Sequence, residues 1–166
     1  MTAPSLLSPE HIAMVDRGVS VIVASRDAAF RPSIMRGVGS AISADGTQVT
    51  VYLRRSQSRQ LLQDIGSGGG LAVVFSEPPT HRTLQLKARE ATLRPASPAD
   101  QPQLDRYLAS MQCELAPVGY GPQFAAAMLS APLDDVVAVQ FTPESAYDQT
   151  PGPRAGAPLD APKARP

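Results

Sequence analysis

A chain of 166 residues is long enough for one domain with a single sizeable core, and its 43% apolar content is that of a folded globular protein. Fifteen basic residues offset fifteen acidic ones. A formal net charge of zero leaves no electrostatic case for nucleic acid or an anionic membrane as the main partner. The one cysteine, Cys113, excludes an intramolecular disulfide framework and a cysteine-built metal site. Residues 1–10 carry no basic residue and no apolar run of signal-peptide length, and no stretch approaches the ~20 apolar residues of a membrane span. A cytoplasmic protein is expected.

In chain order, Ser8-Pro9-Glu10-His11 reads as a helix start: a serine cap, proline at the first helical position and an acidic residue near the positive end of the helix dipole. That helix should stop near Gly18. Residues 19–25 are β-branched and predict a strand. Residues 31–42 predict a second extended run, with Met35, Gly37, Gly39 and Ala41 forming a face of small residues beside a methionine. Such a face suits either a strongly bent strand or the close approach of a flat ligand. Asp45-Gly46 is a hairpin turn signal, and residues 48–54 alternate as a half-buried antiparallel strand.

A short amphipathic helix over residues 60–65 closes at Gly66, and the apolar run 71–75 predicts a central strand covered on both faces. Residues 83–93 alternate again as one long strand. Ser97-Pro98-Ala99-Asp100 repeats the capped-helix signature ahead of a stripe of Leu104, Tyr107, Leu108 and Met111. A helix over 122–130 and a strand over 136–141 follow. Residues 148–166, rich in Pro, Ala and Gly, predict a tail with no core of its own, which leaves residues 1–147 as the domain. Strands joined mostly by hairpins, with peripheral helices, argue for an antiparallel barrel in an α+β, mainly β, domain.

The strongest chemical signal is the cluster Arg54, Arg55, Ser56, Ser58 and Arg59 at a strand end and helix start. Guanidinium groups bind phosphate in bidentate fashion, hydroxyls add hydrogen bonds and a helix N-terminus presents free N–H groups. The parts suit a terminal phosphate monoester; a solvated basic turn with a serine cap is the bland alternative. Gly66-Ser67-Gly68-Gly69-Gly70 follows a helix and precedes a strand, the wrong order for a phosphate cradle, and reads as a flexible connector. His11 and His81 have no metal-binding spacing, Asp134-Asp135 reads as a solvated turn, and no nucleophile elbow or acid/base pair can be assigned. No metal site is expected.

The order of elements resembles the FMN-binding split barrels of the pyridoxamine 5'-phosphate oxidase-like superfamily over roughly residues 8–142. Three segments carry the resemblance. Asp27-Ala28-Ala29-Phe30-Arg31-Pro32 is similar to the family's Asp-x-x-Gly-x-Pro turn, with Phe30 in the usual glycine place. Ser58-Arg59 falls where relatives carry Ser-Lys or Thr-Lys and hold the FMN phosphate. Leu84-Gln85-Leu86-Lys87-Ala88-Arg89-Glu90-Ala91 looks like the family's long strand, with Ala88 at its glycine position.

The resemblance implies a six-stranded antiparallel split β-barrel that forms a homodimer, with a flavin in each groove between subunits. Arg54, Arg55, Ser56, Ser58 and Arg59 would anchor the phosphate. Ser33 and Met35 of the second strand and Thr50 of the third would lie beside the cofactor, with Gln85 and Lys87 as contacts across the site. The chain has no tryptophan and lacks the Arg-Leu-His-Asp-Arg type C-terminus of authentic pyridoxamine phosphate oxidases, so that activity is rejected. An FMN-dependent oxidoreductase acting on a small organic substrate is the first expectation. A non-catalytic flavin- or haem-binding protein, with His81 as a possible single haem ligand, and a deazaflavin-dependent reductase are the alternatives.

Overall fold

The computed structural model describes residues 6–159. Helix α1 (Pro9–Arg17) begins as its sequence predicts: the Ser8 hydroxyl accepts the His11 N–H at 3.3 Å, and Gly18, at φ +88°, ends it. Strands β1 (Ser20–Arg26) and β2 (Pro32–Arg36) form a hairpin. Then β3 (Gly39–Ile42) and β4 (Val49–Arg54) form another around the Asp45-Gly46 turn. Helix α2 (Arg59–Gly66) leads to β5 (Leu71–Ser76), β6 (Thr83–Ala88) and β7 (Thr92–Pro95). Helices α3 (Gln101–Leu115) and α4 (Pro122–Leu129) precede β8 (Val136–Phe141), β9 (Ser145–Asp148) and β10 (Ala157–Pro158).

The strands make two antiparallel sheets, a six-stranded one in the order β10-β9-β6-β5-β1-β2 and a four-stranded one in the order β3-β4-β8-β7. The described residues are therefore α+β, with four α-helices around antiparallel sheets.

Two strands expected as single runs are divided between the sheets. Residues 31–42 form β2 in the larger sheet and β3 in the smaller, and residues 83–93 split into β6 and β7 in the same way. Adjacent residues show the switch: Gly37 N–H donates to Val21 of β1 at 2.9 Å, and Val38 N–H donates to Tyr52 of β4 at 2.8 Å. A Cβ on Gly37 would come within 2.6 Å of Val21 Cγ1, and one on Gly39 within 2.9 Å of Leu104 and Tyr52 side-chain carbons. The small face of this segment is thus filled by the protein's own side chains, which is the bent-strand reading rather than an open shelf for a ligand.

The core lies between the two sheets, with Val49, Val51, Leu53, Val139 and Phe141 of the smaller sheet facing the larger one. Val21 and Val23 of β1, Leu71, Val73 and Phe75 of β5, and Leu84 and Leu86 of β6 are all buried, with Val15, Tyr107 and Met111 from the helices. The Tyr107 hydroxyl donates to Val19 O at 2.8 Å and ties α3 to the start of β1. A second cluster, Val38, Tyr52, Leu104, Val136 and Ala138, fills the space between the smaller sheet and α3.

Strand β5 is fully covered on one face only, because Ala72 and Val74 on the other are partly buried. Residues 145–159, most of them in the expected tail, also belong to the structure. Strand β9 pairs with β6, β10 pairs with β9, and Leu159 N–H donates to Ala146 O at 2.8 Å. The rest of that tail, 160–166, and residues 1–5 lie outside the described residues.

Candidate functional site

The basic cluster forms where β4 hands over to α2. Strand β4 ends at Arg54, one turn of tighter helix spans Arg55–Gln57, and Ser58 occupies the N-cap of α2. Ser58 is only 2% exposed, yet its hydroxyl makes neither the cap hydrogen bond nor any other. A buried hydroxyl with no partner is costly and marks a place where a ligand or water is expected to bond. Arg59, the next residue, is exposed and has no ion-pair partner among the described residues.

Asp135 engages the other half of the cluster. Its carboxylate accepts the Ser56 N–H at 2.9 Å and the Ser56 hydroxyl at 2.6 Å, and lies 3.4 Å from Arg54 Nε. The Ser56 hydroxyl, with Arg54 and Arg55 adding to it, holds this carboxyl below its ordinary range. A solvated turn was the expectation for Asp134-Asp135; Asp135 instead bonds the turn after β4 in the manner of an anion. Ser56 is thereby committed to the protein; Arg54 lies near the same carboxylate, but its buried Nε has no hydrogen-bond partner, and Arg55, Ser58 and Arg59 are also left for a ligand.

The remaining expected residues stand elsewhere. The Ser33 hydroxyl donates to Asp64 Oδ2 of α2 at 2.6 Å, and Gln60 donates to Asp64 Oδ1 at 2.7 Å, which satisfies a carboxylate only 3% exposed. Met35 packs against the main core. Thr50 lies between Ala41 and Gln140 in the smaller sheet. It is four residues from Arg54 along β4, roughly 13 Å at strand spacing. Gln85 and Lys87 point out of the opposite, uncovered face of the larger sheet, Gln85 accepting from Gln149 at 3.2 Å and Lys87 lying 4.9 Å from the Tyr147 ring centroid. One chain does not bring these residues into one cleft.

Ala24, Ala72, Lys87 and Ser145 form a cross-strand row on that uncovered face. A cavity of about 560 Å³ opens there, with exposed Arg26, Lys87 and Arg89 among its walls. The Arg26 guanidinium stacks 4.2 Å over the Phe30 ring, and Arg89 is paired with Glu144 at 2.7 Å. Phe30 has φ +63°, so the turn keeps at this position the left-handed conformation that a glycine adopts freely. Neither Asp135 nor the Ala24–Ala72 shelf was signalled by the sequence, because both depend on strands distant in the chain. Among the described residues no three His, Cys, Asp or Glu side chains are grouped to hold a metal, and no helix is long and apolar enough to cross a membrane.

This arrangement of two antiparallel sheets with helices on the flanks is the fold of the pyridoxamine 5'-phosphate oxidase-like proteins. No family model and no curated protein matches the sequence. Among solved structures the chain is similar to a candidate pyridoxamine 5'-phosphate oxidase from Lactobacillus delbrueckii, at 14% identity and TM-score 0.54 over 85% of this chain and 93% of that one. An F420 reductase matches at 16% identity and TM-score 0.58, over 84% and 98% of the two chains. HupZ of Group A Streptococcus matches at 13% identity and TM-score 0.54, over 90% and 99%. At such identities the likeness is one of fold. The resemblance expected from the sequence is borne out at that level.

Proposed function

We propose that the chain is an FMN-binding flavoprotein, an FMN-dependent oxidoreductase acting on a small organic substrate. Strands β1, β2–β3, β4, β5, β6–β7 and β8, two of them shared between the sheets, are read as a six-stranded split barrel, and two copies form a homodimer with a flavin in each groove between them. The observation that carries the reading is the buried, unpartnered Ser58 hydroxyl at the start of α2, flanked by the exposed Arg55 and Arg59. A phosphate monoester satisfies all three, since it offers oxygens to a hydroxyl, to two guanidinium groups and to the N–H groups of the first helical turn.

The residues fit the phosphate end of FMN with three anchors, Arg55, Ser58 and Arg59. When bound, the isoalloxazine ring supplies the redox chemistry by accepting a hydride or electrons from a reduced donor and passing them on. The chain's own part is to hold the phosphate. Gln85 and Lys87, on the far face of one copy, contact the cofactor held by the other.

Titration with FMN and with riboflavin, which lacks the phosphate, tests this. Arg59→Ala should weaken FMN about tenfold or more, as expected for loss of a charge-assisted hydrogen bond, and leave riboflavin unchanged. Ser58→Ala should act in the same direction. Equal affinity for the two ligands, or no uptake of either, would overturn the phosphate anchor.

A deazaflavin-dependent reductase is the second reading, favoured by the further basic residues Arg26 and Lys87 around the shelf cavity. The mass of the cofactor released by acid from purified protein separates the two. A bound flavin that neither NADH nor NADPH reduces would point instead to a storage or sensing role, and a Soret band would point to haem.

A further inference from the structure

The uncovered face of the larger sheet has a second cavity, at the opposite end of β1 from the shelf. Its volume is about 470 Å³, within the range of small-molecule sites. The Ser20–Ser76 pair marks this end and the Ala24–Ala72 pair marks the shelf, four residues or roughly 13 Å apart along β1. It shares no lining residue with the basic cluster at the start of α2.

One wall is apolar and comes from the helices: Met111 and Leu115 of α3 and Met128 of α4. Tyr120 and Phe124 continue it as a stacked pair, with ring centroids 4.3 Å apart and an interplanar angle of 24°. Both rings are nearly half exposed, at 48% and 45%. An aromatic pair left open to water beside the partly exposed Met128 thioether is a surface on which a flat apolar ligand gains burial and stacking.

The polar wall carries Arg36 and Glu77. Arg36, half-buried on β2, donates from Nη1 to Ser20 Oγ at 2.7 Å, and no carboxylate lies within ion-pair distance of it among the described residues. The carboxylate that also lines the cavity, Glu77, is already bonded to Arg17 at 2.7 Å and to the Thr80 hydroxyl at 2.7 Å. Arg17 is shared with Glu114 at 3.0 Å, so the charges around the cavity balance, but the Arg36 guanidinium has no direct carboxylate partner and its fork geometry matches one. A partly desolvated cation beside apolar walls favours an anion that brings its own apolar body.

We propose that this cavity is a binding site for a planar aromatic carboxylate, its ring on the Tyr120–Phe124 pair and the Met128 thioether, its carboxylate on Arg36. The site lies on the face through which two copies are proposed to pair, but it uses none of Arg55, Ser58 and Arg59, so loss of FMN binding in their variants leaves it standing.

Calorimetric titration of the full-length protein with 2-naphthoate, and with the uncharged 2-naphthalenemethanol, tests it. Naphthoate should bind at least tenfold more tightly than the alcohol. Arg36→Gln should abolish that preference while leaving the weak affinity for the alcohol unchanged, and Arg36→Lys should restore part of it. Phe124→Ala, at an exposed position where folding is not at risk, should weaken both ligands. Amide shifts on binding should centre on Ser20, Arg36 and Phe124, and melting curves of the free variants should match the parent. The proposal is overturned if naphthoate does not bind at millimolar concentration, or if Arg36→Gln leaves its affinity unchanged. Self-association that blocks naphthoate and is removed by Phe124→Asp would also overturn it, since a second copy would then fill the cavity.

Discussion

Tyr52, Arg94 and Ser97 all donate to the Asp100 carboxylate. Arg94 forms two bonds of 2.7 and 2.8 Å, the Tyr52 hydroxyl one of 2.9 Å and the Ser97 N–H one of 2.8 Å. These contacts join β4, the end of β7 and the turn that starts α3. The Arg94 hydrogen bonds, opposed by burial and helped by Ser97 and Tyr52, hold the Asp100 carboxyl well below the usual carboxylate range. Burial, then the Asp100 carboxylate, pushes the Tyr52 hydroxyl up to about 12. A carboxyl lowered by folding contributes stability that is fully present above its unfolded value near ~4 and is lost as pH falls towards the folded one. Asp100→Asn should therefore cost on the order of 2 kcal/mol at pH 7 and less at pH 2. Urea unfolding at the two pH values checks this, and an equal loss at both would refute it. Tyr52→Phe should cost about 1–2 kcal/mol with little change in the acid limb, because the arginine remains.

Among the elements, the connection from α2 to β5 departs furthest from its expected role. Gly66-Ser67-Gly68-Gly69-Gly70 reads as a flexible linker, but Gly69 N–H donates to Asp64 O at 2.9 Å and the Ser25 hydroxyl donates to Gly70 O at 2.6 Å. A Cβ on Gly69 would stand 2.1 Å from the Arg26 carbonyl oxygen, so backbone must move to admit any side chain. Gly68, by contrast, has φ +85° and open space around its Cβ position. Gly68→Ala should cost about 1 kcal/mol from backbone conformation alone. Gly69→Ala should cost about 3 kcal/mol or more from overpacking. Denaturant midpoints of the two variants decide the matter, and equal losses would show that the loop yields. Element existence was legible because turn residues and alternating patterns are local. The division of residues 31–42 and 83–93 was not, since a strand that leaves one sheet for another keeps the same alternation on both sides of the crossing.

For the molecule as a whole, the consequential feature is the uncovered face of the larger sheet. Ile22 and Val74 are only partly buried there, and Ile34 is 64% exposed. A monomer rarely leaves aliphatic residues of neighbouring strands open to water without a partner. The proposed homodimer should sediment at twice the 17.5 kDa chain mass, and Ile34→Asp should shift it towards that single mass without lowering helix content. A parent that sediments as a monomer at tens of micromolar would sink the dimer and with it the shared flavin groove.

Local chemistry determined much of this protein. The Ser8 cap, the Gly18 stop, the Asp45-Gly46 turn and the strand periods are legible because each depends on residues within one turn or hairpin of each other. The basic cluster at residues 54–59 is legible for the same reason, being a strand end followed directly by a helix start. Tertiary structure alone decided which of its members remain free: Asp135, about 80 residues on in the sequence, takes Ser56 and leaves the buried Ser58 hydroxyl and Arg54 Nε without a hydrogen-bond partner. The same holds for the Asp64 carboxylate under Ser33, and for the aromatic cavity walled by β2, α3 and α4. Contacts between residues so far apart in the chain are set by how the sheets stack and cross, a long-range packing outcome that no window of sequence contains.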